Sequence, residues 1–154
     1  MWLKAIEDYL SYLVIERGMA QNTIKAYRRD LIQFQNIMLS QDISDPFLVK
    51  LDNLYDYLGV LWQKDMASTT IARKLACIRG FYDFQQARGN IKANPAKKLD
   101  TVKRKQSLPQ VLSEKEVDKL LEAPKGDILG LRDKAMLELL YATGMRVSEM
   151  LDLD

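Results

Sequence analysis

The residue types that could do chemistry in this chain are cations set beside short hydroxyl side chains. One such group contains, in order, Ser68, Thr69, Thr70, Arg73 and Lys74. A helix start presents free backbone N–H groups and partial positive charge, so hydroxyls and an arginine there can hold a phosphate. The alternative interpretation is that the hydroxyls only cap a helix and the charges only contact water.

A second group of cations recurs at helical spacing. Lys25, Arg28 and Arg29 stand at positions i, i+3 and i+4, which places them on one face of a helix, and Thr23 lies just before them. Charged residues on an outer helix face are usually only solvated. The two groups together therefore indicate a nucleic-acid interface only if the rest of the sequence agrees.

The charge distribution favours a polyanionic partner for the first part of the chain. Residues 1–106 contain 17 basic and 11 acidic side chains, whereas residues 107–154 contain 6 basic and 10 acidic ones. Between Arg88 and Lys105, seven basic side chains, among them Lys97 and Lys98, stand against one acid, and no apolar stripe is evident. We predict an extended basic linker here that contacts nucleic acid together with the two helices.

The composition excludes several other kinds of site. The chain has no histidine, which removes Ser-His-Asp and Cys-His catalysis and histidine-ligated metals. Its one cysteine, Cys77, allows no disulfide within the chain and no cysteine-rich zinc site, as is typical of a reducing compartment. No apolar run reaches the roughly 20 residues that cross a bilayer. We expect no metal, no cofactor, no membrane contact and a cytoplasmic location.

Apolar residues recur with the three- and four-residue spacing of α-helices along most of the chain. No strand pattern and no internal repeat are evident, so we predict an all-α fold. The first four helices are expected to bury their stripes against one another, since isolated helices of this length are marginal in water. Their predicted ranges are Trp2 to Arg17, Asn22 to Leu39, Leu51 to Lys64 and Thr69 to Arg88.

The same spacing predicts individual positions within these helices. Leu3 and Val14 are expected on the buried stripe of the first helix, and Trp62 on that of the third. Cys77 lies among apolar residues of the fourth helix and is expected to be a small buried side chain. Asn22 is expected to cap the second helix.

Three further helices are predicted beyond residue 106. Ser113 and Glu116 form a capping box that opens the first of them, which ends before Pro124. The second runs from 127 to 143, and Gly144 breaks it. A further turn or two follows directly.

Arg146 and Glu149 belong to that last turn and are three residues apart. An arginine beside free backbone N–H groups can hold a phosphate through two parallel hydrogen bonds. The alternative is an ordinary arginine–glutamate pair on a helix surface, and spacing alone favours that alternative.

The segment around Arg146 resembles the first arginine motif of the tyrosine recombinase family, in particular its Xer-type members. It reads Leu-Leu-Tyr-Ala-Thr-Gly-Met-Arg-Val-Ser-Glu-Met-Leu over residues 139–151. Residues 18–31 and 68–84 resemble the family's core-binding signature, and residues 94–96 and 108–117 resemble its linker and the entry to its catalytic domain. The resemblance covers essentially the whole chain in the family's order.

The resemblance implies a four-helix SAM-like core-binding domain at 1–89, a basic linker at 90–106 and the N-terminal part of a catalytic domain at 107–154. It implies site-specific DNA recombination through a 3′-phosphotyrosyl intermediate, most commonly in chromosome dimer resolution. The partners would be a double-stranded recombination site and a second recombinase protomer in a tetrameric complex. The expected DNA-binding residues are Thr23, Lys25, Arg28, Arg29, Ser68, Thr69, Thr70, Arg73, Lys74, Lys97 and Lys98.

In the same comparison Arg146 matches the family's first catalytic arginine, and Glu149 matches a supporting acid. The family's later lysine, histidines, second arginine and tyrosine nucleophile have no match among these residues, so we expect DNA binding without cleavage. We also expect exposed apolar surface around Leu139, Leu140 and Leu151, because the family's sheet that would cover it is not in this sequence.

Two other functions stay open at this level. One is a helical DNA-binding regulator or recombination accessory factor that has no nucleophile. The other is a helical interaction module whose basic face binds an acidic protein. DNA affinity that falls steeply with added salt would favour phosphate contacts over the last of these.

Overall fold

A computed structural model describes residues 1–99 and 111–153. These residues form seven α-helices and two short 3-10 helices, with no strand among them, which confirms the predicted all-α class. They divide along the chain into two compact units, and the boundary lies between residues 106 and 107. Residues 100–110, which include the last part of the predicted linker at 90–106, and Asp154 lie outside the described residues.

The first unit contains α1 to α4 and both 3-10 helices. The helices agree with the predicted ones to within a few residues at each end. Their bounds are α1 Trp2–Ile15, α2 Gln21–Ser40, α3 Leu51–Gln63 and α4 Ser68–Ala87, with the 3-10 helices at Pro46–Leu48 and Pro95–Lys98.

Aromatic side chains from all four helices make the centre of this unit. The ring of Phe34 lies 5.6 Å from that of Trp2, 5.0 Å from Tyr57 and 6.3 Å from Tyr82, each in an edge-to-face arrangement. Such pairs contribute about 0.5–1.5 kcal/mol beyond the burial of their area. The Tyr82 hydroxyl also donates to the Pro46 carbonyl at 3.1 Å, which fixes the connection between α2 and α3.

The two helical hairpins of the first unit begin their second helix in the same way, although no internal repeat was predicted. The pattern Met-Ala-x-x-Thr-Ile occupies residues 19–24 and again 66–71. Each copy follows a left-handed residue, Gly18 with φ 58° and Asp65 with φ 47°. The alanine of each copy is the N-cap, with φ −59° and ψ 142° before α2 and φ −56° and ψ 140° before α4. The first unit therefore contains a short internal repeat.

Four predicted positions in this unit are wrong. Leu3, Val14 and Trp62 are exposed rather than buried. Each directly follows a buried residue, and one step along a helix rotates the side chain by about 100°, to the edge of the apolar stripe. Asn22 does not cap α2, because the helix begins at Gln21.

The start of the predicted linker is folded, not extended. Asn94 caps the 3-10 helix Pro95–Lys98 by accepting from the backbone N–H of Ala96 at 2.7 Å. Its amide also donates to the carbonyl of Arg79 at 3.1 Å, and the Arg79 guanidinium donates to the Leu99 carbonyl at 2.6 Å. These bonds to α4, together with the burial of Ala96 and Leu99, make residues 94–99 part of the first unit.

The second unit contains α5 Glu114–Glu122, α6 Ile128–Thr143 and α7 Val147–Leu151. The predicted capping box is confirmed, with the backbone N–H and the hydroxyl of Ser113 donating to Glu116 at 2.8 and 2.7 Å. The predicted break at Gly144 is confirmed as well, since this residue ends α6 in the left-handed region with φ 66°. A non-glycine residue there would be strained.

Few side chains of the second unit are buried. Among residues 111–153 only Gly130 and Met150 are buried, whereas Leu139 and Leu151 are exposed as expected and Leu140 is half-buried. Further exposed apolar side chains of this unit are Val111, Leu112, Leu120, Ile128, Leu129, Leu131, Tyr141, Val147 and Leu153.

Candidate nucleic-acid interface

The predicted cations of α2 are exposed, and one of them is already paired. Lys25 and Arg29 lie on the surface, and Thr23 near the helix start is half-buried. Arg28 forms a two-pronged ion pair with Glu7 of α1, in which Nη2 and Oε2 are 2.8 Å apart. The hydrogen bond to Glu7 raises the pKa of Arg28 and offsets its charge. Lys25 and Arg29 are thus the α2 cations more open to a phosphate.

The hydroxyls at the start of α4 do not cap the helix. The N-cap is Ala67, and no side chain bonds the free N–H groups of the first turn. Thr69 is exposed, while Ser68 and Thr70 are half-buried. Backbone N–H groups and hydroxyls are therefore present together at this helix start, as the phosphate interpretation requires.

Arg73 and Lys74 differ sharply in their surroundings. The side chain of Arg73 is 35% exposed, but that of Lys74 is only 5% exposed and lies between α2 and α4. Its ammonium donates to Asp30 at 2.8 Å and to the Gln33 amide oxygen at 2.5 Å. The expectation of Lys74 as a surface ligand for DNA is therefore corrected, since its position in the helix places it against α2.

Asp30 joins these two cations to α2. Its carboxylate is 1% exposed and accepts hydrogen bonds from Arg73 at Oδ2 and from Lys74 at Oδ1. Asp30 was not predicted as a site residue, because the charge pattern around it is basic. A lone acid within a basic run, beside a buried leucine, is the signal that could have drawn attention to it.

Lys97 and Lys98 lie exposed in the folded segment Pro95–Lys98. That segment packs on the later part of α4 through Arg79 and Asn94, whereas Arg73 lies nearer the start of the same helix. The structure thus attaches both basic groups to α4, at different places along it.

Cys77, four residues beyond Arg73, is buried as predicted, with its thiol 3.8 Å from the Tyr27 carbonyl. Burial raises the pKa of this thiol, which disfavours the thiolate that a nucleophile needs. The residues that the structure describes include no group of three or more acidic or cysteine side chains placed to hold a metal ion. Over the same ranges, no helix is both long enough and apolar enough to span a membrane.

In the second unit, Arg146 and Glu149 do come together. Arg146 is the N-cap of α7 and its side chain is 82% exposed. Its Nη1 lies 3.0 Å from one oxygen of Glu149, and its backbone N–H donates to the other at 2.7 Å. These hydrogen bonds lower the pKa of Glu149. A guanidinium has five N–H donors, so one bond to Glu149 leaves others for an anion.

The helical fold, the exposed cations of the first unit and the exposed Arg146 are the features expected of a DNA-binding recombinase. Family models match both units of the chain. Residues 6–89 match the family model described as phage integrase, N-terminal SAM-like domain, and residues 110–154 match the one described as phage integrase family. The chain therefore belongs to the phage integrase family, and the predicted resemblance and SAM-like helical fold are confirmed.

Individual relatives carry the names of Xer recombinases. A tyrosine recombinase XerC of Herpetosiphon aurantiacus is 45% identical over 151 residues, which are 97% of this chain and 49% of the relative. A tyrosine recombinase XerD of Listeria monocytogenes is 38% identical over 150 residues, which are 96% of this chain and 50% of the relative. A tyrosine recombinase XerD of Staphylococcus aureus is 42% identical over 150 residues, which are 97% of this chain and 51% of the relative. The chain thus spans about half the length of these curated relatives.

Proposed function

We propose that this chain works in site-specific DNA recombination, as the DNA-binding part and first catalytic segment of an Xer-type tyrosine recombinase. The observation that carries the proposal is the pair of family matches, which follow each other in order along the chain. The second match contains Arg146 with its guanidinium open to solvent. The proposed division is a core-binding domain at 1–89, a linker at 90–106 and a catalytic segment at 107–154.

DNA binding is assigned to the first unit. Exposed Lys25 and Arg29 on α2, and half-exposed Arg73 on α4, supply positive charge on two helices that pack against each other. Contacts of this kind bind phosphates in any sequence and release counterions, so they make affinity depend steeply on salt. Lys97 and Lys98 extend the charged surface along α4.

The chemistry assigned to Arg146 is stabilisation of negative charge on a phosphate under attack. In a recombinase that forms a phosphotyrosyl intermediate, charge develops on the non-bridging oxygens of the scissile phosphate. A guanidinium can donate two parallel hydrogen bonds to such oxygens. Glu149 would hold Arg146 at the start of α7 while the remaining N–H groups face the phosphate.

Cleavage is not assigned to these 154 residues. They contain no histidine, and none of their seven tyrosines matches the nucleophile implied by the family resemblance. The proposed biological role is chromosome dimer resolution in the cytoplasm, with a second recombinase protomer and a tetrameric complex on the DNA. The likeness to Xer recombinases along both units supports this role.

Fluorescence anisotropy with a labelled 30-base-pair duplex at several salt concentrations tests DNA binding. We expect log K to fall linearly with log salt concentration, because each neutralised phosphate releases counterions. Affinity that does not change with salt, or no binding at low salt, would contradict the proposal and favour a protein partner. A nicked suicide substrate in the same assay should give no covalent protein–DNA product, and such a product would refute the expected lack of cleavage.

A recombination accessory factor without a nucleophile is separated from a recombinase by a different measurement. Sequencing of the gene shows whether the open reading frame continues past residue 154 and encodes a His-x-x-Arg motif and a late tyrosine. Their presence supports the recombinase, and an immediate stop supports the accessory factor.

A further inference from the structure

One buried carboxylate between α2 and α4 serves two cations. Asp30 is 1% exposed and accepts from Lys74 at 2.8 Å through Oδ1 and from Arg73 through Oδ2. The Lys74 ammonium has a further acceptor in Gln33, at 2.5 Å. Lys74 thus has two hydrogen-bond acceptors within the protein, and its charge is matched by that of Asp30.

The charges of this cluster do not balance, and the surplus lies on Arg73. One carboxylate faces two cations, of which Lys74 is buried and Arg73 is 35% exposed. A surplus charge is tolerated where it reaches water or an anion, and it is costly where it is sealed in the interior. The guanidinium of Arg73 therefore keeps unmet charge and further N–H donors at the surface.

We propose that Asp30 is a positioning residue that fixes the Arg73 guanidinium for contact with a DNA phosphate, so that this buried negative charge raises the affinity for DNA. The inference rests on the proposed DNA binding of the first unit. A free arginine side chain loses rotamer freedom when it binds, and a side chain already fixed by Asp30 has lost most of that freedom in advance. The carboxylate thus acts through Arg73 and does not touch DNA.

Replacement Asp30→Asn separates positioning from plain electrostatics. Removal of a negative charge should tighten DNA binding if only net charge matters. If Asp30 positions Arg73, binding weakens instead, by about tenfold, which corresponds to one charge-assisted hydrogen bond. The control is Asp56→Asn, the same change at an exposed α3 residue for which no ion pair is seen within residues 1–99 and 111–153. It should leave binding unchanged or slightly tighter.

The Asp30→Asn change leaves the Lys74 ammonium buried beside a neutral amide, and an unpaired buried charge lowers the stability of the folded state. The double variant Asp30→Leu/Lys74→Met removes both buried charges and the side-chain acceptor at position 30, so it keeps an apolar packing while Arg73 loses its hydrogen-bond partner. Circular dichroism identifies a temperature at which every variant is folded, and anisotropy with the 30-base-pair duplex is measured there. We expect the same loss of about tenfold in this double variant.

A last pair of variants tests whether Asp30 affects DNA binding by acting on Arg73. In an Arg73→Ala background, Asp30→Asn should give no further loss of affinity. The positioning role is overturned if either Asp30 variant binds as tightly as the wild type or tighter, or if Asp30→Asn weakens binding equally without Arg73. If the variants do not fold, NMR relaxation of the Arg73 Nε–H in the wild type tests the positioning role instead. An Arg73 guanidinium as mobile as that of Arg29 would contradict the proposal. A wild type without salt-dependent DNA binding refutes the proposed function itself.

Discussion

The two units of this protein bury their apolar residues to very different extents. The first has a continuous core in which Phe34, Tyr57 and Tyr82 are fully buried. The described residues of the second bury only Gly130 and Met150, and leave side chains such as Ile128 and Leu131 exposed. Helices hold their position in water mainly through packing of their apolar faces. The first unit therefore has the means to fold on its own, and the second depends on local features such as caps.

The largest effect that sharpens this comparison is expected from the core of the first unit. Phe34→Ala should lower the free energy of unfolding by about 3–5 kcal/mol, because it opens a cavity among aromatic rings. The matched change Leu151→Ala in the second unit should cost no more than about 0.5 kcal/mol. Both tryptophans, Trp2 and Trp62, lie in the first unit, so tryptophan fluorescence during urea unfolding measures the loss there. NMR amide hydrogen exchange in α6 and α7 measures the loss in the second unit. Equal losses in the two variants would break the comparison.

A close contact inside the first unit gives the next largest effect. A Cβ added at Gly80 would lie 2.4 Å from the Tyr9 hydroxyl oxygen, so Gly80→Ala should cost about 1–3 kcal/mol. The double variant Gly80→Ala/Tyr9→Phe should recover part of that loss, because it removes the clashing oxygen while the ring stays. The measurement is the same urea titration, and no recovery would show that the contact is not the cause.

The exposed apolar side chains of the second unit predict association at higher protein concentration. The double variant Leu139→Lys/Leu151→Lys should reduce this association, measured by sedimentation velocity from 10 to 200 µM. Tryptophan-monitored unfolding should stay the same. A wild type that remains monomeric over this range would count against an exposed apolar face.

The smallest effect is expected from acidification of the helix caps in the second unit. Hydrogen bonds from Ser113 lower the pKa of Glu116, and those from Arg146 lower the pKa of Glu149. A lowered pKa means that these caps stabilise α5 and α7 above the ordinary glutamate pKa and lose that contribution as the pH falls through the folded value. NMR should show the first turns of both helices fraying as the pH falls below the ordinary glutamate pKa, while the first unit's core stays intact. Fraying that is independent of pH would contradict the caps.

Much of the fold could be predicted because helix spacing is a local property. The bounds of α3 and α6, the capping box at Ser113 and the break at Gly144 all follow from residues a few positions apart. The attachment of the linker's start to α4 could not be predicted, because there Asn94 donates to Arg79 and Asp83, which lie 15 and 11 positions earlier in the chain. Partners that meet only in the folded chain leave no mark on local spacing.

The same distinction holds for the candidate interface. Exposed Lys25, Arg29 and Arg73 could be proposed from charge and helical spacing. Lys74 lies three residues after buried Ile71, a spacing that already favours the inner face, but its partner Asp30 is 44 positions away on another helix. The sequence therefore indicates which residues carry charge, and the fold decides which of them can reach a phosphate.

The central claim is that the first unit binds duplex DNA through phosphate contacts. Its most direct test is the Arg73→Ala variant of the full chain. Asp30 keeps its contact with Lys74 in this variant but loses the Arg73 donor at Oδ2, so the melting temperature followed by tryptophan fluorescence should fall by only a few degrees, and binding is measured well below it. The dissociation constant for duplex DNA should rise by about tenfold, and the slope of log K against log salt should decrease by about one. Unchanged affinity, or a loss of affinity that matches a loss of folded protein, would contradict the claim.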